Sequence, residues 1–308
     1  MSLSLASHKT LAIMGLLATN ILWAGNIYVS RIVIESVPPF SLNLIRWLIA
    51  CLILTPFLLQ ETLRHQETIC QNWKQLTLFG FLGVTVYNAF LYTAAYTTSG
   101  INIAVISTLS PVITFFFVWL FLRIKPNRNQ LIGLSFGLLG VLVLVMRGDI
   151  NRIFQLQFVV GDLWMLAAVV SWAIYTALVK NKPPLPSLVF LYITLLLGTT
   201  LAIPGAIIEN VNIAGGVMSW LSFDAKSILI YLYVGIFPSI LAYFLFNYGT
   251  NVLGPNVAAT FAYLLPVFTA LISIFWLNEV LHWFHFIGQL LVFFGFYFSF
   301  RRSGLSAR

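Results

Sequence analysis

The sequence predicts an all-α integral membrane protein, a single membrane domain over residues 1–308 with ten transmembrane helices arranged as two inverted five-helix repeats. Three observations carry this expectation. The chain is 60% hydrophobic and only 8% charged, against about 25% charged residues in an average soluble domain, so it cannot cover itself with polar surface in water. Its apolar residues lie in runs long enough for helical spans, which need about 20 residues each, and not in the short segments of a barrel. The second half of the chain also repeats features of the first.

The spans are expected near residues 11–30, 40–60, 75–97, 101–122 and 130–146, then near 161–180, 187–208, 226–249, 256–277 and 283–300. The first is short of a cleavage-site pattern and reads as a retained span, not a signal peptide. Pro38-Pro39 opens the second. Ser99-Gly100 divides the third from the fourth, and Gly254-Pro255 divides the eighth from the ninth. Glycine and proline at these uncharged junctions favour tight turns over one long helix. The remaining junctions are polar or basic loops.

An offset of 155 residues lays the fourth and fifth spans over the ninth and tenth. Pro111, Gly133 and Gly140 then coincide with Pro266, Gly288 and Gly295, without a gap. Shared leucine or valine means little in apolar sequence, but proline and glycine in register mean more. At a slightly shorter offset Trp23-Ala24 lies over Trp172-Ala173, and Arg31 over Lys180. This reads as a duplication, with repeat one at 11–147 and repeat two at 161–300. Five spans is an odd number, so the halves must face opposite ways, the arrangement common in secondary transporters, whose substrate site lies between the halves near mid-membrane.

The net charge of +8 does not point to nucleic acid, because the basic residues sit in short loops and at the tail. Lys9, Arg64, Lys74, Arg123, Lys125, Arg128, Lys180, Lys182, Arg301, Arg302 and Arg308 collect on the N-terminal side, and only Arg31, Arg46, Arg147, Arg152 and Lys226 on the other. The positive-inside rule then puts both termini in the cytoplasm, with the chain in the cell inner (plasma) membrane. Cys51 and Cys70 form no metal pattern and no expected disulfide; no cofactor is expected.

Polar residues inside the spans are the candidate substrate contacts. Asn88, Tyr92 and Tyr96 stand four apart on one helical face, and the same offset lands on Tyr243, Asn247 and Asn251. An unpaired amide in hydrocarbon costs several kcal/mol (about 2–7), so these groups are expected to face a partner helix or a wet cavity. Trp23 with Asn26, and Trp172 with Tyr175, form a second matched pair able to stack on a planar substrate or to pack against neighbouring helices. Arg46 lies within the second span, where it can hold a substrate carboxylate or phosphate, snorkel to the outer interface, or pair structurally. Pro111 and Pro266 are expected mid-span, as hinges or as static kinks. No carboxylate falls at the centre of a span, which disfavours a buried proton relay and favours facilitated diffusion or exchange. Glu279, near His282 and His285, reads as interfacial.

Leu22-Trp23-Ala24-Gly25-Asn26, Val37-Pro38-Pro39 and Leu44-Ile45-Arg46-Trp47 in the first half, with Asn256-Val257-Ala258-Ala259, Pro266-Val267-Phe268-Thr269-Ala270 and Leu277-Asn278-Glu279 in the second, resemble the EamA family of the drug/metabolite transporter superfamily. Gly288 and Gly295 complete the likeness, which runs from about Leu11 to Phe300. The first half departs from it, with Ile124 where the second has Glu279. The resemblance implies a permease for small-molecule substrates, such as an exporter of amino acids. The alternatives are an exporter of drugs or toxic hydrophobic compounds and, from other classes, a membrane-embedded enzyme or a structural subunit. Gly133-Leu134-Ser135-Phe136-Gly137 matches G-x-S-x-G, but that motif needs a strand–turn–helix elbow, and small residues four apart suit helix packing better. The histidines lack H-E-x-x-H spacing and there is no P-loop, so neither a zinc protease nor an ATP-driven pump is expected.

Overall fold

A computed structural model describes residues 5–33, 37–149, 151, 154, 158–212, 224–277 and 282–300. Among these residues every regular element is helical. The chain runs through α1 (Leu5–Val33), α2 (Pro39–Arg64), the short α3 (Gln66–Gln71), and α4 (Trp73–Gly80), which continues through a π-helical turn (Phe81–Val86) into α5 (Tyr87–Thr97). It goes on through α6 (Gly100–Ser107), α7 (Ser110–Leu122), α8 (Arg128–Val145), α9 (Val160–Val179) and α10 (Ser187–Asn212). Then come α11 (Ala225–Gly235), a second π-helical turn (Ile236–Leu241) and α12 (Ala242–Leu253). The chain ends with α13 (Pro255–Thr260), a 3-10 turn (Phe261–Tyr263), α14 (Leu264–Leu277) and α15 (Trp283–Phe300).

Nine helical segments among the described residues are long and apolar enough to cross a membrane, and an apolar stretch at Trp283–Ser299 is shorter. The sequence predicts ten full spans. The tenth expected span falls on α15, whose described apolar stretch is the shorter one at Trp283–Ser299. Glu279 lies outside the described residues, as do Arg152, Arg301, Arg302 and Arg308. Bulky apolar side chains such as Leu52, Phe57 and Phe293 stand exposed on the outside of the bundle, where lipid, not water, satisfies them.

Local sequence explains where the helices start. Pro39 occupies the first turn of α2, where its missing N–H would have been an orphan anyway. The Ser99 hydroxyl accepts from the Asn102 N–H and caps α6. Asn127 and Gln130 cap α8 reciprocally, the arrangement of a capping box. Gly254 has φ +89°, a conformation that side-chain-bearing residues rarely adopt, and it lets the chain turn at once from α12 into α13.

Both prolines stand near helix starts. α6 ends at Ser107, and Pro111 stands in the first turn of α7. Pro266 lies at the start of α14, just past the 3-10 turn. In both places the regular helix breaks just before the proline, which has no N–H to continue the ladder.

Two contacts set the architecture. α8 and α15 pack backbone to backbone: a methyl built on Gly140 would lie 2.7 Å from the Gly288 carbonyl oxygen, and one built on Gly295 2.7 Å from that of Gly133. The core gathers Leu16, Trp47, Phe79, Trp172, Tyr175, Phe190, Tyr243 and Phe246 from six helices, and it is at the polar edge of this cluster that the candidate site lies.

Candidate functional site

The site begins with a backbone defect. Pro238 has no N–H, so it cannot bond the carbonyl of Val234 four residues earlier. The helix answers with the wider π turn, and the Ser239 hydroxyl donates to the Val234 oxygen at 2.5 Å. The first half has its own π turn, in which the Asn88 amide donates to the Gly83 oxygen at 3.4 Å and the Tyr243 hydroxyl to the same oxygen at 2.6 Å. Such turns leave carbonyls free for side chains, and they recur at functional sites.

Arg46 sits between the two π turns. It is 1% exposed. Its Nε donates to Ser239 Oγ at 2.5 Å, Nη1 to Asn88 Oδ1 at 2.9 Å and to the Tyr92 hydroxyl at 3.0 Å, and Nη2 to the Pro238 oxygen at 3.0 Å. The guanidinium also lies 4.7 Å from the Trp47 ring centre. Arg46 therefore does not snorkel. An arginine at mid-membrane costs about 3 kcal/mol on insertion scales. Hydrogen bonds from a charged donor return about 1.5–3 kcal/mol each, so four of them hold the charge in place without an acid.

The hub extends through Tyr243, whose hydroxyl accepts from Asn88 Nδ2 at 3.2 Å across 155 residues of sequence. Beyond it the Tyr175 hydroxyl donates to Asn247 Oδ1 at 2.8 Å. An aromatic wall closes one side. Trp23 meets Trp172 at 5.2 Å and Tyr243 at 6.0 Å between ring centres, and Trp172 meets Tyr87, Tyr175 and Phe246 at 4.9, 5.1 and 4.8 Å. The Trp23 indole N–H is spent on the Pro238 oxygen at 3.1 Å, which ties the wall to the hub.

Of the residues singled out in the sequence, Arg46, Asn88, Tyr92, Tyr243, Asn247, Tyr175, Trp23 and Trp172 thus come together. Three stand apart. Tyr96 is half exposed near the end of α5, its hydroxyl donating to the Val37 oxygen. Asn251 is exposed near the end of α12, where its backbone oxygen accepts from Lys180. Asn26 is buried, and its Oδ1 makes no hydrogen bond to a hub residue. Sequence reasoning missed Ser239, Pro238, Trp47 and Tyr87; a proline followed by serine inside a span was the one available signal. It also missed Asp162, which accepts from Thr98 Oγ1, Asn102 Nδ2 and the Val159 N–H and fastens the start of α9 to the α5–α6 turn. Ser135 lies exposed on α8 with its hydroxyl donating to the Leu131 oxygen, a helical setting that lacks the nucleophile elbow. Among the described residues no cluster of metal-binding side chains occurs.

The comparisons agree with this architecture. An uncharacterized transporter of Archaeoglobus fulgidus is 26% identical over 287 residues, 91% of this chain and 94% of that one. The uncharacterized inner membrane transporter YedA of Escherichia coli is 26% identical over 266 residues, covering 84% and 80% of the two chains. A solved crystal structure superposes with a TM-score of 0.74 at 18% identity over 96% of both chains, a likeness of fold alone. The model of the EamA-like transporter family matches residues 10–146 and 159–301. This multi-pass membrane protein belongs to the EamA-like transporter family.

Proposed function

We propose that the chain is a secondary transporter that exports small metabolites, amino acids among them, across the inner membrane by alternating access. The single observation that carries this reading is the Arg46 hub: a charged, hydrogen-bonded cluster deep in an apolar bundle, built by α2 and α5 with the π turn before α12 and bordered by an aromatic wall. A bundle needs no such cluster to pack, and polar groups at this depth mark solute paths.

In this reading ten spans form two inverted halves with both termini in the cytoplasm. Support comes from features that recur at the same offset. The π turns Phe81–Val86 and Ile236–Leu241 correspond, as do the interrupted spans ending at Leu122 and Leu277. Asn88 and Tyr243, one offset apart, touch. The interruptions before Pro111 and Pro266 are then the flexing points that expose the hub to either side. The test is uptake and efflux of a labelled amino-acid panel in proteoliposomes, comparing wild type with Tyr92→Ala plus Asn247→Ala. Saturable flux that the folded double variant loses supports the reading; equal flux by the two proteins removes the hub from the path.

A further inference from the structure

Among the described residues no acid pairs with the charge of Arg46. The ion pairs found among the described residues join Glu61 to Arg64 and to His65, at the end of α2. The other acids with hydrogen bonds spend them elsewhere: Asp149 on Asn151, Asp162 at the α5–α6 turn, Glu209 on the Phe40 and Ser41 N–H groups, Asp224 on Ser227. The four acceptors around Arg46 are two hydroxyls, an amide oxygen and a backbone carbonyl. They solvate the guanidinium without neutralising it.

The hydrogen-bonding capacity left over on Arg46, Tyr92 and Asn247 is of one kind. A guanidinium carries five N–H groups, and Arg46 uses four, so one N–H on Nη2 has no acceptor among the described residues. The Tyr92 hydroxyl accepts from Arg46 and donates to no described residue. Asn247 Nδ2 is buried and has no partner. All three are donors, and two of them meet at the one guanidinium. The ligand that answers adjacent donors beside a fixed positive charge is an acceptor-only group with two oxygens, an ionised carboxylate.

From this we infer that the hub selects solutes with a carboxylate and one net negative charge, and that the membrane potential by itself drives their export. The inference rests on the transport reading above and adds substrate charge and driving force to it. Arg46 stays with the protein, so the net charge moved in a full cycle is that of the solute. A potential of 100 mV, inside negative, then favours an expelled monoanion by about 50-fold at equilibrium. A neutral zwitterion gains nothing from the potential, and an organic cation meets Arg46 as a like charge.

The experiment uses the full chain in proteoliposomes, with the potential clamped at zero or at about 100 mV, inside negative, by potassium and valinomycin. The probes are labelled glutamate, aspartate and pyruvate as monoanions, glutamine and asparagine as their neutral isosteres, and lysine as a cation. The expected result is efflux of at least one monoanion ahead of its isostere, with an equilibrium ratio that follows the potential. Arg46→Gln is expected to bring the glutamate and glutamine rates together. Tyr92→Phe keeps the ring but loses the donor, and it is expected to lower the ratio of monoanion to neutral flux about tenfold; it serves where Arg46→Gln does not fold. Preferred flux of glutamine or lysine, or monoanion flux indifferent to potential, overturns the inference and leaves transport standing. Silence from every probe, in protein shown to be folded, overturns the inference too, and amino-acid export with it.

Discussion

Replacing Gly140 by alanine tests a backbone-to-backbone contact between α8 and α15. A methyl there would lie 2.7 Å from both the Gly288 oxygen and the Val292 nitrogen, and 2.9 Å from the Leu291 Cβ. Ordinary contact begins at 3.4 Å, and two of the three obstacles are backbone that no rotamer change can move. α8 and α15 must therefore part by several tenths of an ångström along a seam where glycines face one another. Overpacking of this kind costs about 1–3 kcal/mol, and Gly140→Leu, with a larger side chain aimed the same way, costs more. Thermal and denaturant unfolding of purified protein, followed by tryptophan fluorescence, measures the loss. Ser135→Ala on the exposed face of α8 is the control and is expected within about 0.5 kcal/mol of wild type. A Gly140→Ala protein as stable as that control refutes the backbone-to-backbone packing.

Ser239→Ala removes the hydroxyl that both caps the Val234 oxygen and accepts from Arg46; the expected loss is about 2–4 kcal/mol in the same unfolding assay, with Ser239→Thr largely restoring it. A double-mutant cycle of Asn88→Ala and Tyr243→Phe is expected to show a coupling of about 0.6–1.7 kcal/mol in unfolding, and additive effects within error would remove their hydrogen bond. Asp162→Asn sets an amide against three donors. It is expected to cost about 1–3 kcal/mol and to speed hydrogen exchange at Val159 and in the first turn of α9, whereas unchanged exchange there would mean that the carboxylate holds nothing.

Much of this was legible in the sequence because hydrocarbon is a demanding solvent. Long apolar runs announced helices, and Gly133 with Gly137 announced helix packing: both do lie against Gly295. The four-residue spacing of Asn88 and Tyr92 placed both toward the same partners. Tyr96 and Asn251 continue those stripes but fall at the helix ends, where burial stops; spacing reports direction around a helix and says nothing of depth. Pro111 and Pro266 were legible as breakers, yet a proline cannot announce whether a helix bends or restarts, since that depends on whether the preceding turn can tighten. The π turns were invisible, because an extra residue in a helix leaves no pattern in an apolar run. Ser239 was hidden for the same reason: its value comes from the Val234 carbonyl that Pro238 orphans, a relation between backbone and side chain that only coordinates reveal.

The contact between Asn88 and Tyr243 bears on the history of the chain. Under the proposed duplication, an ancestor made of two identical half-length copies would have placed the same residue on both sides of this contact. A self-facing position must be its own complement, and a tyrosine facing a tyrosine, or an asparagine facing an asparagine, has to share donor and acceptor roles with its twin. Once both halves are written in one gene, the two sides can drift independently. Here one side offers an amide that accepts from Arg46 while donating to the phenol opposite, and the other offers a phenol that passes its proton to the Gly83 oxygen. The bond has acquired a direction, and with it a place for a single arginine that a strictly symmetric pair would have had to hold twice.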